Sequence, residues 1–226
     1  MIGLQHPYIG VRNGESVSYG GSQMFAEDKV MRECGCGIVG ALDTLLYLGK
    51  NRPGCAVDFL PWDGSPISQE RYVELLQKLR RGYLPLSYPF GMNGLTLAAG
   101  LNRLFRKQNI PLHARWLVKR DVLWRGLDEM LDRDMPVILS AGPNFPLVLS
   151  KKNKVAFCRR DASGVLYPVT ATNAHYVTVT GREGDWLRIS SWGREYYLDK
   201  KTFSEYVEQH SSYLVSNILL LEERKR

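Results

Sequence analysis

Cysteine is scarce in this chain: the four present, Cys34, Cys36, Cys55 and Cys158, are too few and too irregularly placed in 226 residues for a disulfide framework. Free thiols are therefore expected. Long apolar runs are missing too. The longest candidates, Gly37 to Leu48 and Val215 to Leu221, fall well short of the roughly 20 residues a membrane-spanning helix needs, so a soluble chain without a membrane partner is expected. Repeats and biased tracts are absent, which excludes fibrous and low-complexity classes. The first residues, through Gly21, show no basic region leading into an apolar one. The expected compartment is the cytoplasm, unless a leader has been removed. Neither the Cys34-Gly35-Cys36 pair nor the other Cys and His positions offer a four-ligand zinc pattern, and no metal or cofactor is expected.

What is present points to an ordinary globular chain: 44% apolar residues can bury a sizeable core, and no linker divides it, so residues 1–226 read as one domain. Thirty basic against 23 acidic residues give a net charge of +7. The basic residues are scattered, with no nucleic-acid-binding motif around them, and read as solvated surface rather than a nucleic-acid site.

Apolar periodicity predicts helices over Gly35–Leu48, Ser68–Arg81, Leu95–Gln108 and Val122–Arg133, the first apolar on almost every side and therefore buried. Gly49 is placed to close that first helix in the left-handed conformation, and Gly40 inside it implies close backbone packing. After Met135 the pattern turns to period two. Strands are expected over Pro136–Ser140, Pro146–Leu149, Val155–Cys158, Val165–Val169, His175–Thr180, Trp186–Ser191, Glu195–Leu198 and Tyr213–Leu221, with one late helix, Thr202–Gln209, capped by Thr202 and Glu205. Helices first and strands afterwards predict an α+β fold in which a central buried helix packs on a mostly antiparallel sheet.

Four histidines narrow the search for a general base. His6, His113 and His210 have no catalytic partner nearby in sequence. His175 opens the alternating run His-Tyr-Val-Thr-Val-Thr-Gly, and a histidine on the core-facing side of a strand needs a hydrogen-bond partner or a cleft. Cys36 stands where loop becomes helix, so the positive end of the helix dipole and unpaired N–H groups favour a thiolate and could hold an oxyanion. Cys34 is the alternative nucleophile, should the helix start earlier, and Glu33 works mildly against activation.

Gln23, then Cys36-Gly37 at the head of an apolar helix, then a strand-borne His175, then Ser190-Ser191-Trp192-Gly193 resemble the papain-like cysteine peptidase superfamily. The compact arrangement is more similar to the bacterial branch that includes the double-glycine leader peptidases, of the C39-like kind. The resemblance implies Cys36 as nucleophile, His175 as its base, Gln23 as donor to the oxyanion and Trp192 packed over the position that orients the histidine. Two departures stand out: Gln23 lies farther ahead of Cys36 than is usual in the family, and Ser190 replaces the orienting Asn or Asp. Asn173 is a second candidate orienter. The implied activity is a cysteine hydrolase that cleaves a peptide or other amide bond through a thiol acyl-enzyme, its partner a peptide or protein substrate. An acyltransferase or a catalytically silent binding module are the alternatives.

Overall fold

In the computed structural model, which describes residues 2–147 and 150–224, short pieces of extended chain open the fold: β1 (Ile2–Gly3), β2 (Val11–Asn13) and β3 (Ser16–Val17). A single 3-10 turn, Gln23–Phe25, is capped by Ser22, whose hydroxyl accepts from the Met24 N–H. Helix α1 (Lys29–Cys34) follows, and Gly35 alone separates it from α2 (Cys36–Asn51). Of α2's sixteen residues, Gly37, Ile38 and all from Gly40 to Leu48 are buried, as a helix apolar on every side must be. Gly49 does not end it. It stays helical, with Ala56 Cα 3.3 Å and the Cys55 carbonyl 3.6 Å from where its Cβ would be, and the helix stops two residues before Pro53.

Next come β4 (Ile67–Ser68), α3 (Gln69–Gly82), capped by the Ser68 hydroxyl as its sequence suggests, α4 (Gly94–Lys107), β5 (Leu112–Trp116) and α5 (Arg120–Asp132). Strands then take over: β6 (Val137–Ala141), β7 (Val155–Arg160), β8 (Leu166–Thr172), β9 (His175–Glu183), β10 (Trp186–Ser191) and β11 (Arg194–Asp199). Helix α6 (Lys200–His210) and β12 (Ile218–Glu223) complete the order.

The fold is α+β, with a nine-stranded sheet in the order β5-β12-β6-β9-β10-β11-β7-β8, antiparallel at every pairing, and β1 added on β9. A separate three-stranded sheet, β3-β2-β4, joins the N-terminal arm to α3's approach. Helix α2 lies over β6 and β9, with Gly40 facing Ile138 and Thr178. A Cβ there would meet those side chains at ordinary contact distances of 3.4–3.5 Å, so side chains rather than backbone fill the space beside Gly40.

Three further expectations are corrected. The α6 cap is Asp199, whose carboxylate accepts from both the N–H and the hydroxyl of Thr202, so the helix starts ahead of Thr202. Residues 146 and 147 are not strand, and the rest of the Pro146–Leu149 expectation lies outside the described residues. The last strand starts at Ile218, because Tyr213–Ser216 is a turn in which Ser216 donates its N–H to Ser212. No helix is long and apolar enough to cross a membrane among the described residues.

Candidate active site

Both faces of β9 are buried along most of its length, and its first residue, His175, is only 6% exposed. The neighbouring strand β6 ends at Ala141, in register with His175, so the histidine sits at the sheet's rim. Near this rim Gly35 leaves the N-terminus of α2 without a side-chain cap, and Cys36 is the helix's first residue. The β9 side chains that meet α2 are Tyr176, at Gly37, and Thr178, at Gly40, so alternation turns the His175 ring to the other face of the strand. The backbone N–H groups of Tyr176, Gly37 and Cys36 itself face the Cys36 sulfur. Because Tyr176 follows His175 directly, this contact joins the head of α2 to the first residues of β9. Cys36, His175 and Gln23 line one cavity, together with Asp43, Ser190, Ser191 and Trp192. Its free volume is about 10 Å³, room for about one water molecule.

The ring of His175 is held on two sides. Its Nε2 lies 2.8 Å from the Ser191 hydroxyl, and the Trp192 indole stacks on it with centroids 4.3 Å apart and planes 16° from parallel. Trp192 and Gly193 form the two-residue turn between β10 and β11, with φ of +49° and +72°. Positive φ at both central positions is the conformation whose twist suits a tight hairpin. A tryptophan in the left-handed region is strained, and here the strain delivers its ring to the imidazole.

Ser190 does not orient the histidine. Ser190 pairs with Thr178, and directly opposed residues on adjacent strands share a face of the sheet. Thr178 is an odd number of residues from His175, so it points to the other face, and Ser190 with it. The Ser190 hydroxyl accordingly donates to the Tyr19 carbonyl at 2.8 Å, and the serine that meets the ring is its neighbour, Ser191. Asn173 is not the orienter either: its amide donates to the carbonyls of Ser150 and Asn153, both at 3.0 Å.

Gln23 reaches the cavity despite its distance ahead of Cys36, because the chain between them is used up in the 3-10 turn and α1. Its Nε2 donates to the Arg32 carbonyl at 3.1 Å, which leaves the second amide hydrogen for the cavity. Cys34 is buried at the end of α1, outside the cavity lining, with its thiol directed to the Pro89 carbonyl at 3.5 Å. His6 pairs with Asp134 at 2.7 Å, His113 lies exposed on β5, and His210 ends α6.

Asp43 escaped the sequence reading. It follows Cys36 by two helical turns on the same face of α2, and a charged residue in an otherwise apolar helix was the available signal. It is 1% exposed and accepts hydrogen bonds from Tyr72 Oη at 2.6 Å, the Gly21 N–H at 2.9 Å and Tyr8 Oη at 3.2 Å. Burial raises its pKa to about 6, against the lowering effect of those three donors.

Burial also sets the resting charge of the pair. It pushes the Cys36 thiol up to about 11, although the three N–H groups pull the other way, and pushes His175 down to about 3. At neutral pH the site therefore rests as a thiol and a neutral imidazole in the lining of one cavity. With Nε2 engaged by Ser191, Nδ1 is the nitrogen left to take a proton. No protein-family model, curated protein or solved structure matches the chain.

Proposed function

We propose that the chain is a papain-like cysteine hydrolase that opens a peptide or other amide bond through a thioester on Cys36. The observation that carries this reading is one cavity lined by a cysteine at a helix N-terminus and by a histidine whose Nε2 is bonded to Ser191 and whose ring is stacked by Trp192.

In this reading the Cys36 sulfur attacks the carbonyl carbon while its proton passes to His175 Nδ1. Moving that proton creates both charges together, so their attraction offsets part of what burial costs each alone. The Gln23 amide and the Cys36 N–H receive the developing oxyanion. The C–N bond then breaks, and the amine leaves with the proton from His175. Water attacks the thioester with His175 again as base, releasing the acid and restoring the thiol. An amine in place of water would make the same site an acyltransferase.

A second reading, a catalytically silent module that binds a peptide, is favoured by the narrow cavity and the upward shift of the thiol. Iodoacetamide labelling at pH 7.5, mapped by mass spectrometry, separates the two. Under the hydrolase reading Cys36 is alkylated ahead of Cys34, Cys55 and Cys158, and His175→Ala lowers the Cys36 rate by about 10²-fold, the lower edge of the range for a positioned base. Equal labelling of all four thiols, or a Cys36 rate indifferent to His175, leaves the silent module.

A further inference from the structure

We infer that Asp43 is a positioning residue that fixes the arm carrying Gln23. The inference rests on the reading of Cys36 as nucleophile and deepens it, because it says how the oxyanion donor is held.

Three donors from three parts of the chain converge on the Asp43 carboxylate: Tyr8 from the N-terminal segment, Gly21 from the arm, and Tyr72 from α3. With both oxygens so engaged, Asp43 is poorly placed to exchange a proton with a substrate, although it lines the same cavity as Cys36. Its bond to the Gly21 N–H ties α2, which carries the sulfur, to the chain two residues ahead of Gln23.

The sheet grips the arm from the other side. Ser190 Oγ donates to the Tyr19 carbonyl at 2.8 Å, Tyr19 N–H to the Gly193 carbonyl at 3.0 Å, and Gly193 N–H to the Gly21 carbonyl at 2.9 Å. The space between the two grips admits no side chain. Gly20 has φ +74°, and a Cβ on it would come within 2.1 Å of Ser190 Oγ and 2.8 Å of Asp43 Oδ2. A Cβ on Gly21 would come within 1.9 Å of Tyr72 Oη. The arm is thus clamped between the strand leading to the turn beneath His175 and the helix bearing Cys36, and Gln23 emerges from the clamp. Ser190 acts in it as a backbone anchor. An amide at position 43 would turn an N–H toward one of the converging donors and loosen the arm.

Two thiol probes isolate the effect. 4-Nitrophenyl acetate acetylates Cys36: the C–S bond forms, the C–O bond breaks through an oxyanion, and 4-nitrophenolate leaves, with the thiol proton taken up by His175. Iodoacetamide alkylates the same sulfur by displacing iodide and builds no oxyanion. In the full chain, Asp43→Asn is expected to slow acetylation about tenfold, below the full loss of an oxyanion donor, while alkylation of Cys36 stays within about twofold. Combined with Gln23→Ala it is expected to cost no more than Gln23→Ala alone, because both changes remove the same donor.

Should Asp43→Asn fail to fold, Tyr72→Phe and Ser190→Ala each remove one bond of the clamp and should give the same split between probes. Equal slowing of both probes, no slowing of either, or full additivity with Gln23→Ala overturns the inference while Cys36 remains the nucleophile. If wild type releases no 4-nitrophenolate, or Cys36→Ser releases as much as wild type, the hydrolase reading falls and takes this inference with it.

Discussion

The imidazole of His175 has a hydroxyl rather than a carboxylate on its far nitrogen, and it is buried without a compensating charge, so it is a weak base at rest. The Cys36 thiol is likewise a weak acid, shifted up to about 11. A raised thiol pKa means that the thiolate fraction at neutral pH is small and grows about tenfold per pH unit until pH approaches the pKa. The alkylation rate of Cys36 should therefore climb from pH 6 to pH 10 with no acid-side plateau, the plateau being the mark of a preformed ion pair. The advantage of wild type over His175→Ala should be greatest near neutrality and shrink toward pH 11, where solvent removes the proton unaided. A rate independent of pH between 5 and 8 would show instead that the ion pair exists at rest. At this scale Cys36 and His175 were legible because each announces itself locally, one by its place at a helix head and the other as a histidine in an alternating apolar strand. Ser191 was hidden behind Ser190. Choosing between adjacent residues on a strand requires the register against β9, and register is a property of the pair of strands.

Helices α2 and α4 each carry glycines whose surroundings differ, and these elements can be tested through them. At Gly40 a Cβ would make ordinary contacts with Thr178 and Ile138. Gly40→Ala should then recover the helix propensity that glycine forgoes, about 1 kcal/mol. At Gly94 a Cβ would fall 2.0 Å from the Trp116 ring, which is held in place by donating its Nε1–H to the Leu214 carbonyl at 2.8 Å. Gly94→Ala should cost about 1–3 kcal/mol by overpacking. Thermal unfolding checks both: a rise in Tm of about 2–4 °C for the first and a fall for the second, on the usual scaling for a chain of this size. If Gly40→Ala lowers Tm, the space beside α2 is tighter than its geometry indicates. The long helices were legible because their apolar faces repeat at helical spacing, and Ser68 was legible as a cap. The α6 boundary was not, because Asp199 and Thr202 both suit a cap and the choice depends on where β11 ends. Strand β5 also went unseen. Its alternation, with Leu112, Ala114 and Trp116 buried, is only five residues long and pairs with β12 from the far end of the chain.

At the scale of the molecule, the site lies where two differently built halves meet. Its sulfur comes with a helix from the first half, its imidazole and serine come from strands of the second, and its indole comes from the turn between β10 and β11. That division into helices and then strands was readable in the sequence. The meeting of the halves was expected only through the family resemblance, because it depends on α2 crossing β6 and β9 at Gly40, a contact between residues remote in the chain. The seam is narrow: about 10 Å³ is free between its walls. Cys36 is itself partly exposed beside this narrow cavity, and small and large thiol reagents should sense the narrowness differently. Cys158, on β7, is partly exposed and serves as an internal reference. Iodoacetamide should label Cys36 faster than Cys158, whereas a maleimide bearing a fluorescein ring system should lose that preference by about tenfold or more. An unchanged Cys36-to-Cys158 ratio for the two reagents would mean that the walls of the cavity do not restrict approach to the sulfur.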